Sequence, residues 1–135
     1  MTIETFFTRY ATLALGSEPE ALAALYAPTF IVGGPQGSQA FTNDARLLDW
    51  LRQVSDFNRQ HGMRSLAVHA VRGTTLSPLH TLATVTWDAQ FEKTDERVIE
   101  FEITYLLEQV DDGWQILSYI SRSNQDETMA QEGLL

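Results

Sequence analysis

The fold is decided by two runs of sequence, ATVTWDAQF at residues 83–91 and IEFEITYLL at residues 99–107. In the first run every odd-numbered residue is apolar and every even-numbered residue is polar. The odd positions of the second run are again apolar, from Ile99 to Leu107. A period of two residues is typical of a β-strand with one buried face. The sequence therefore predicts two neighbouring strands of one sheet whose odd-numbered side chains point inward.

Helices are predicted ahead of these strands. Residues 3–14 carry apolar side chains at helical spacing, with Thr2 as the N-cap. The capping-box spacing of Ser17 and Glu20 predicts a second, short helix from Glu18 to about Tyr26. Leucines at helical spacing predict a third helix from about residue 43 to residue 61.

The remaining strands follow from turn residues. A short strand at residues 30–32 precedes a glycine-rich loop at 33–38, and four long strands are predicted at residues 66–72, 79–92, 97–108 and 114–122. Short connections rich in turn residues predict antiparallel hairpins. The fold class is therefore α+β, a curved antiparallel β-sheet packed on three N-terminal helices. A single domain is predicted at residues 1–123, followed by a C-terminal tail at 124–135.

Composition narrows the classes of partner. The chain has 135 residues, a formal net charge of −9 and no cysteine, so disulfides and thiolate sites are excluded. A strongly acidic chain repels nucleic acid and anionic membranes. Apolar runs are too short for a membrane span, and Glu4 stands where a secretory signal would be basic. We expect a cytoplasmic protein that binds neither nucleic acid nor membranes.

Three motifs carry a family resemblance: Arg9-Tyr10 in the first helix, residues 21–28 leading into the strand at 30–32, and the hairpin at 112–116. With these motifs the chain resembles the nuclear transport factor 2-like superfamily, which includes SnoaL-like cyclases and ketosteroid isomerase. The resemblance covers about residues 2–122. It implies the cystatin-like cone fold and a homodimer formed through the outer face of the sheet.

The same resemblance can be tested at the catalytic positions of the steroid isomerases. Their catalytic tyrosine matches Tyr10. Their general base, an aspartate before a proline, falls on Gly34 before Pro35, and their neutral aspartic acid falls near Tyr105. Because the base is missing, steroid isomerisation is not expected. Chemistry like that of limonene epoxide hydrolase needs an inward-facing Asp–Arg–Asp set, which the apolar strand faces do not supply.

The predicted strand registers place a few polar groups on the inner face. They pair Leu106 with Ile116 and Arg72 with His80, which sets His69 opposite Ala83. The inner face would then present, among aliphatic side chains, His69, Phe101, Trp87, Tyr105, Tyr119, Gln115 and Ser121, with Tyr10 approaching from the first helix. A mainly apolar surface with a few polar tips is typical of a ligand pocket.

Three functions remain open. The first is a small-molecule-binding protein whose apolar pocket is lined by Trp87, Tyr119, Ser121, Gln115 and Phe101. The second is a SnoaL-like isomerase, cyclase or dehydratase in which His69 and Tyr105 or Tyr10 transfer protons. The third is a dimerisation or adaptor module without a cavity. Each of these tyrosines, and His69, also has a purely structural interpretation as a core residue. No cofactor is predicted.

The outer face is predicted to carry charges and some apolar side chains, namely Arg72, His80, Asp88, Glu100, Glu102, Leu106, Trp114, Ile116, Ile120 and Arg122. Exposed Trp and Ile beside pairable charges favour a homodimer interface. The carboxylates here lack a fixed histidine, so the sequence gives only weak grounds for a metal site, and none is predicted.

Overall fold

The computed structural model describes residues 2–16, 18–91 and 98–121. It contains three helices and six strands: α1 (Ile3–Leu15), α2 (Pro19–Ala23), β1 (Tyr26–Gly34), β2 (Gly37–Thr42), α3 (Ala45–Gln60), β3 (Met63–Thr75), β4 (His80–Phe91), β5 (Val98–Val110) and β6 (Gly113–Ser121). The strands form one curved sheet in the order β2-β1-β6-β5-β4-β3. The predicted α+β class, with three helices on a curved sheet, is confirmed. None of the described helices is both long and apolar enough to cross a membrane.

The sheet departs from the prediction at β1 and β2. β1 pairs with β6 in parallel, so the sheet is not antiparallel throughout. The sequence predicts a loop at residues 33–38 and no strand after it, whereas β2 begins at Gly37, which adopts φ +123 in the hairpin turn. That left-handed φ suits glycine. α2 is also shorter than predicted, ending at Ala23.

The predicted N-cap of the first helix agrees with the structure. The side chain of Thr2 accepts a hydrogen bond from the Thr5 amide at 3.1 Å, which confirms this N-cap. Asp44 caps α3 in the same way through the Arg46 amide at 3.0 Å. The predicted cap at Ser17, the end of the last strand at Arg122 and the tail at 124–135 lie outside the described residues.

The core lies between the inner face of the sheet and the helices. Phe6 and Phe7 of α1 and Leu47 of α3 are almost fully buried against Val85 and Leu107 of the central strands. The alternation of the two opening runs therefore predicted the buried face of β4 and β5. At the far end of these strands Ala89, Phe91 and Ile99 form a second buried group with Phe57 and Met63.

The predicted register of β3 is wrong. Arg72 pairs with Thr84 rather than with His80, because the β3–β4 hairpin closes on Thr75 and Thr81. A β-bulge between Val68 and Ala70 then adds one residue, His69, to β3. An extra residue in a strand redirects the side chains around it. His69 therefore points to the outer face, where its side chain is 56% exposed.

The predicted register of β6 is wrong for the same kind of reason. Tyr105 pairs with Tyr119, whereas Leu107 pairs with Ile116, with a bulge between them. Ile116 is fully buried and Trp114 packs against the core, so neither belongs to the outer face. Gln115, paired with Glu108, takes the outer side in their place.

Candidate functional site

A cavity of about 410 Å³ lies between the inner face of the sheet and the helices. Its floor is formed by inward-facing side chains of β4 and β5, and its sides by α1, α3 and the β1–β2 turn. The floor is mainly apolar, with Ala89, Phe91, Ile99, Phe101 and Ile103. The strand positions that line the cavity, within the described part of the chain, include no carboxylate and no cation.

Three tyrosines, Tyr10, Tyr105 and Tyr119, line the cavity, and Tyr26 packs behind them. All four tyrosines of the chain form a closed ring of contacts, with centroid distances of 6.2 Å for Tyr10–Tyr26, 6.3 Å for Tyr26–Tyr119, 5.8 Å for Tyr119–Tyr105 and 6.3 Å for Tyr105–Tyr10. We call these four residues the tyrosine ring. Trp87 packs against Tyr10 at 5.7 Å. Four strands and helices thus converge here: α1, β1, β5 and β6.

Hydrogen bonds within the tyrosine ring fix where protons are available. The hydroxyls of Tyr10 and Tyr26 are 2.6 Å apart, so one donates to the other. Trp87 Nε1 donates to the hydroxyl oxygen of Tyr105 at 3.2 Å. Indole nitrogen is a donor only, so the hydroxyl proton of Tyr105 is left for another acceptor. The Tyr119 hydroxyl has no hydrogen-bond partner among the described residues.

Burial keeps these phenols neutral. Loss of water around the hydroxyl raises the pKa of Tyr10, Tyr26, Tyr105 and Tyr119 above the ordinary value of 10.0. For Tyr26 and Tyr105 the nearby tyrosines raise the pKa further, since two phenolates could not lie side by side. At neutral pH the ring therefore offers hydrogen-bond donors and weak acids, and no general base.

Six of the eight predicted site residues lie in this cavity. Tyr10, Trp87, Phe101, Tyr105, Tyr119 and Ser121 all contribute to its lining. The expected inner-face position of His69 is wrong because of the β3 bulge, and that of Gln115 is wrong because Ile116 occupies the buried side. His69 therefore lies on the opposite face of the sheet from Tyr105, and the two cannot form a proton-transfer pair across the cavity.

The sequence prediction missed several residues of the site. The sequence predicts Tyr26 at the end of α2, but it begins β1 and is 2% exposed inside the tyrosine ring. Ser55 and Asn58 of α3 also line the cavity, as does Glu18 before α2. The polar positions of α3 at 55 and 58 are spaced by three residues, a signal for one helix face. Glu18 is exposed and is the one carboxylate of the described lining.

The position that holds the base of the steroid isomerases also lies at the cavity. Gly34 and Pro35 line it beside the β1–β2 turn. Glycine brings no ionisable group to this point. The described lining of the cavity therefore has no carboxylate at this position.

The outer face of the sheet carries a separate group of charges. Asp88 pairs directly with Glu100 across β4 and β5, and His69 Nδ1 lies 2.9 Å from Asp88 Oδ2. Arg72 Nη2 lies 3.8 Å from Glu102 Oε1, and His80 Nε2 lies 3.3 Å from Glu108 Oε2. Of the His, Asp and Glu side chains described, His69, Asp88 and Glu100 alone form a group of three with ligand atoms within 4.8 Å of one another.

Solved structures share this fold at low sequence identity. An NTF2-like protein with a cystatin-like fold from Novosphingobium aromaticivorans has a TM-score of 0.71 at 14% identity, covering 98% of this chain and 86% of that one. A candidate scytalone dehydratase from the same species has a TM-score of 0.67 at 19% identity, covering 90% and 81%. A hypothetical protein of ketosteroid isomerase-like fold from Catenulispora acidiphila, in complex with trimethylamine, has a TM-score of 0.62 at 16% identity, covering 100% and 96%.

Sequence comparison gives the family directly. No curated protein matches the chain. A family model described as NTF2-like protein (DUF6841) matches residues 1–124, which include the helices, the sheet and the cavity. The chain therefore belongs to the DUF6841 family of NTF2-like proteins.

Proposed function

We propose that this protein binds a small, largely apolar molecule in the cavity, with an acceptor oxygen of the ligand held at the tyrosine ring. The observation that carries the proposal is a cavity of about 410 Å³ whose apolar floor ends in phenol hydroxyls. Ligand sites are typically clefts of about 300–1,000 Å³ with an apolar lining and a few placed polar groups. A module that only dimerised would need no such space.

The donor pattern indicates the ligand's polar group. Tyr105 and Tyr119 each hold a hydroxyl proton that has no acceptor in the described part of the chain. Both tyrosines line the cavity, so their hydroxyl protons are available to an acceptor inside it. A carbonyl or ether oxygen on the ligand would accept these protons. The lining also has no described Lys, Arg or His and one carboxylate, Glu18, which favours a neutral ligand over an anion.

A thermal-shift screen tests this proposal. Lactones, polycyclic ketones and aromatic acids would serve as probes, and a ligand of the folded state raises Tm by mass action. We expect the neutral oxygen-bearing classes to raise Tm. Tyr119→Phe should reduce the shift by removing one donor, and Ala89→Leu should abolish it by filling the floor. The outer-face variant Thr86→Val is the matched control and should leave the shift unchanged.

The proposal fails if no probe class raises Tm. It also fails if Ala89→Leu binds the same probe as tightly as the wild-type chain, because Ala89 is 1% exposed and lies in the floor. A loss of binding in Thr86→Val equal to that in Tyr119→Phe would show that the effect is one of stability.

The alternative is an isomerase, cyclase or dehydratase of the SnoaL-like kind. It is favoured by the contact of the Tyr10 and Tyr105 rings beside the cavity and by the fold shared with the candidate scytalone dehydratase. Neutral phenols would act as proton donors to a ligand oxygen. Tyr105→Phe separates the two functions: turnover of a bound probe should fall while affinity changes less. If a probe binds and no variant or wild-type chain converts it, binding alone remains.

We further propose that two copies associate through the outer face of the sheet. Leu82, Leu106, Ser118 and Ile31 follow one another across four strands on that face, and Ile120 beside them is 54% exposed. Exposed apolar rows of this kind favour a protein partner. Light scattering after gel filtration should give twice the chain mass, and Ile120→Glu should give a monomer. A monomeric wild-type chain contradicts the proposal.

A further inference from the structure

We propose that His69, Asp88 and Glu100 form a binding site for a divalent transition-metal ion on the outer face of the sheet. The site is separate from the cavity and does not depend on the proposed function. One imidazole nitrogen and two carboxylate oxygens are a ligand set that Zn²⁺ takes in proteins. Three protein ligands would leave further positions of the ion for water.

Backbone pairing brings the three side chains together. Asp88 and Glu100 are direct partners in the β4–β5 register, so two negative charges stand opposite each other, an unfavourable arrangement on its own. The bulge between Val68 and Ala70 turns His69 toward them. The strands thus hold two acidic ligands and one imidazole at fixed positions.

The side-chain geometry fits an ion after a small adjustment. His69 Nδ1 lies 2.9 Å from Asp88 Oδ2, close to the spacing of two ligands on one ion. The three ligand atoms lie within 4.8 Å of one another, and Zn²⁺ ligands lie at about 2.0–2.2 Å from the metal. Glu100 is exposed, so its side chain can rotate to close the remaining gap.

A second observation at Asp88 points to a missing partner. Its other carboxylate oxygen, Oδ1, has almost no accessible surface and no hydrogen-bond partner among the described residues. A carboxylate oxygen shielded from water is costly unless a donor or a metal satisfies it. Arg72, which lies on the same strand as His69, contacts Glu102 instead. An ion bound by both carboxylate oxygens of Asp88 would satisfy Oδ1 together with Oδ2, and its charge would offset the repulsion between Asp88 and Glu100.

Zinc titration of the untagged, chelator-treated full chain tests the site by calorimetry. We expect one Zn²⁺ per chain, and a visible absorption band when Co²⁺ replaces it. His69→Ala and Asp88→Asn should each weaken binding by at least about tenfold, as loss of a ligand commonly does. His80→Ala is the matched control, because His80 has the same kind of outer-face contact with one carboxylate, Glu108. Its affinity for Zn²⁺ should equal that of the wild-type chain.

Four results would overturn the site. They are no Zn²⁺ binding by the wild-type chain, unchanged affinity in His69→Ala or in Asp88→Asn, equal loss in His80→Ala, and a stoichiometry of one ion per two chains. Circular dichroism of each variant separates loss of ligand from loss of fold. The thermal-shift screen of the cavity is unaffected by any of these outcomes, so the two proposals can fail independently.

Discussion

A single amide holds the corner where α2 passes into β1. Asn43 Nδ2 donates to the carbonyl oxygens of Ala23 at 2.8 Å and Tyr26 at 3.1 Å. These carbonyls lie at the end of a helix and the start of a strand, where backbone acceptors lack regular partners. The side chain thereby sets the direction in which Tyr26 enters the tyrosine ring.

Removing this donor should destabilise the fold. Asn43→Asp keeps the size of the side chain and replaces the donor with an acceptor that faces two carbonyl oxygens. We expect a loss of about 1–3 kcal/mol in the free energy of unfolding, measured by urea denaturation. Asn43→Ala should cost less, since it adds no repulsion. Equal stability of Asn43→Asp and the wild-type chain would contradict the role given to the amide.

At the scale of elements, α1 packs against β3 at Gly73, a residue that has no side chain. A Cβ built on Gly73 would lie 2.6 Å from Ile3 Cδ1, closer than two carbon atoms approach. Gly73 does not have a positive φ. The lack of room for a side chain beside Ile3, rather than the backbone conformation, therefore explains why this residue is a glycine. The start of α1 therefore rests directly on the backbone of β3.

A double-mutant cycle tests this contact. Gly73→Ala should destabilise the protein by about 1 kcal/mol, at the low end for overpacking, because the end of the Ile3 side chain can shift. Ile3→Val removes the methyl group in the way. The double variant should be more stable than the sum of the two single changes predicts, by about 0.5 kcal/mol or more. Strict additivity in thermal or urea unfolding would show that the two residues do not meet.

The strands also show how much of the structure could be predicted from the sequence. The alternation of β4 and β5 gave their buried face, because both strands keep a strict period of two along the positions that line the core and cavity. It could not give the position of His69, since a bulge adds one residue without any change in the local pattern. Tyr26 was missed because helix and strand propensities do not show where α2 ends. Site residues on regular strands could thus be predicted, whereas those at a β-bulge or at the start of a strand could not.

For the whole molecule, the tyrosine ring makes the free energy of unfolding depend on pH in the alkaline range. The folded chain raises the pKa of all four tyrosines above 10.0, so it keeps phenol protons that the unfolded chain releases. This contribution to stability is fully present below about pH 10 and is lost as pH rises through the folded-state values. We expect the free energy of unfolding to fall as pH increases above about 10. Tyr26→Phe, which removes one titrating group, should make that fall shallower.

Denaturant unfolding at a series of pH values measures both slopes. The comparison of Tyr26→Phe with the wild-type chain isolates the tyrosine contribution from that of Lys and Arg, which both chains share. Identical slopes in the two chains would contradict the role of the ring.

Contact between Tyr10 and Trp87 also has an optical consequence. Tyrosine excited in the ultraviolet passes its energy to a nearby indole, and the ring of Trp87 lies 5.7 Å from that of Tyr10. Trp87 and Trp50 line the cavity, whereas the third tryptophan of the chain, Trp114, lies away from it. Emission from Trp87 is therefore fed by the phenols that a ligand would touch, and it can report occupancy of the cavity without any label. A Trp87→Phe chain would lose that part of the signal and keep the emission of Trp50 and Trp114.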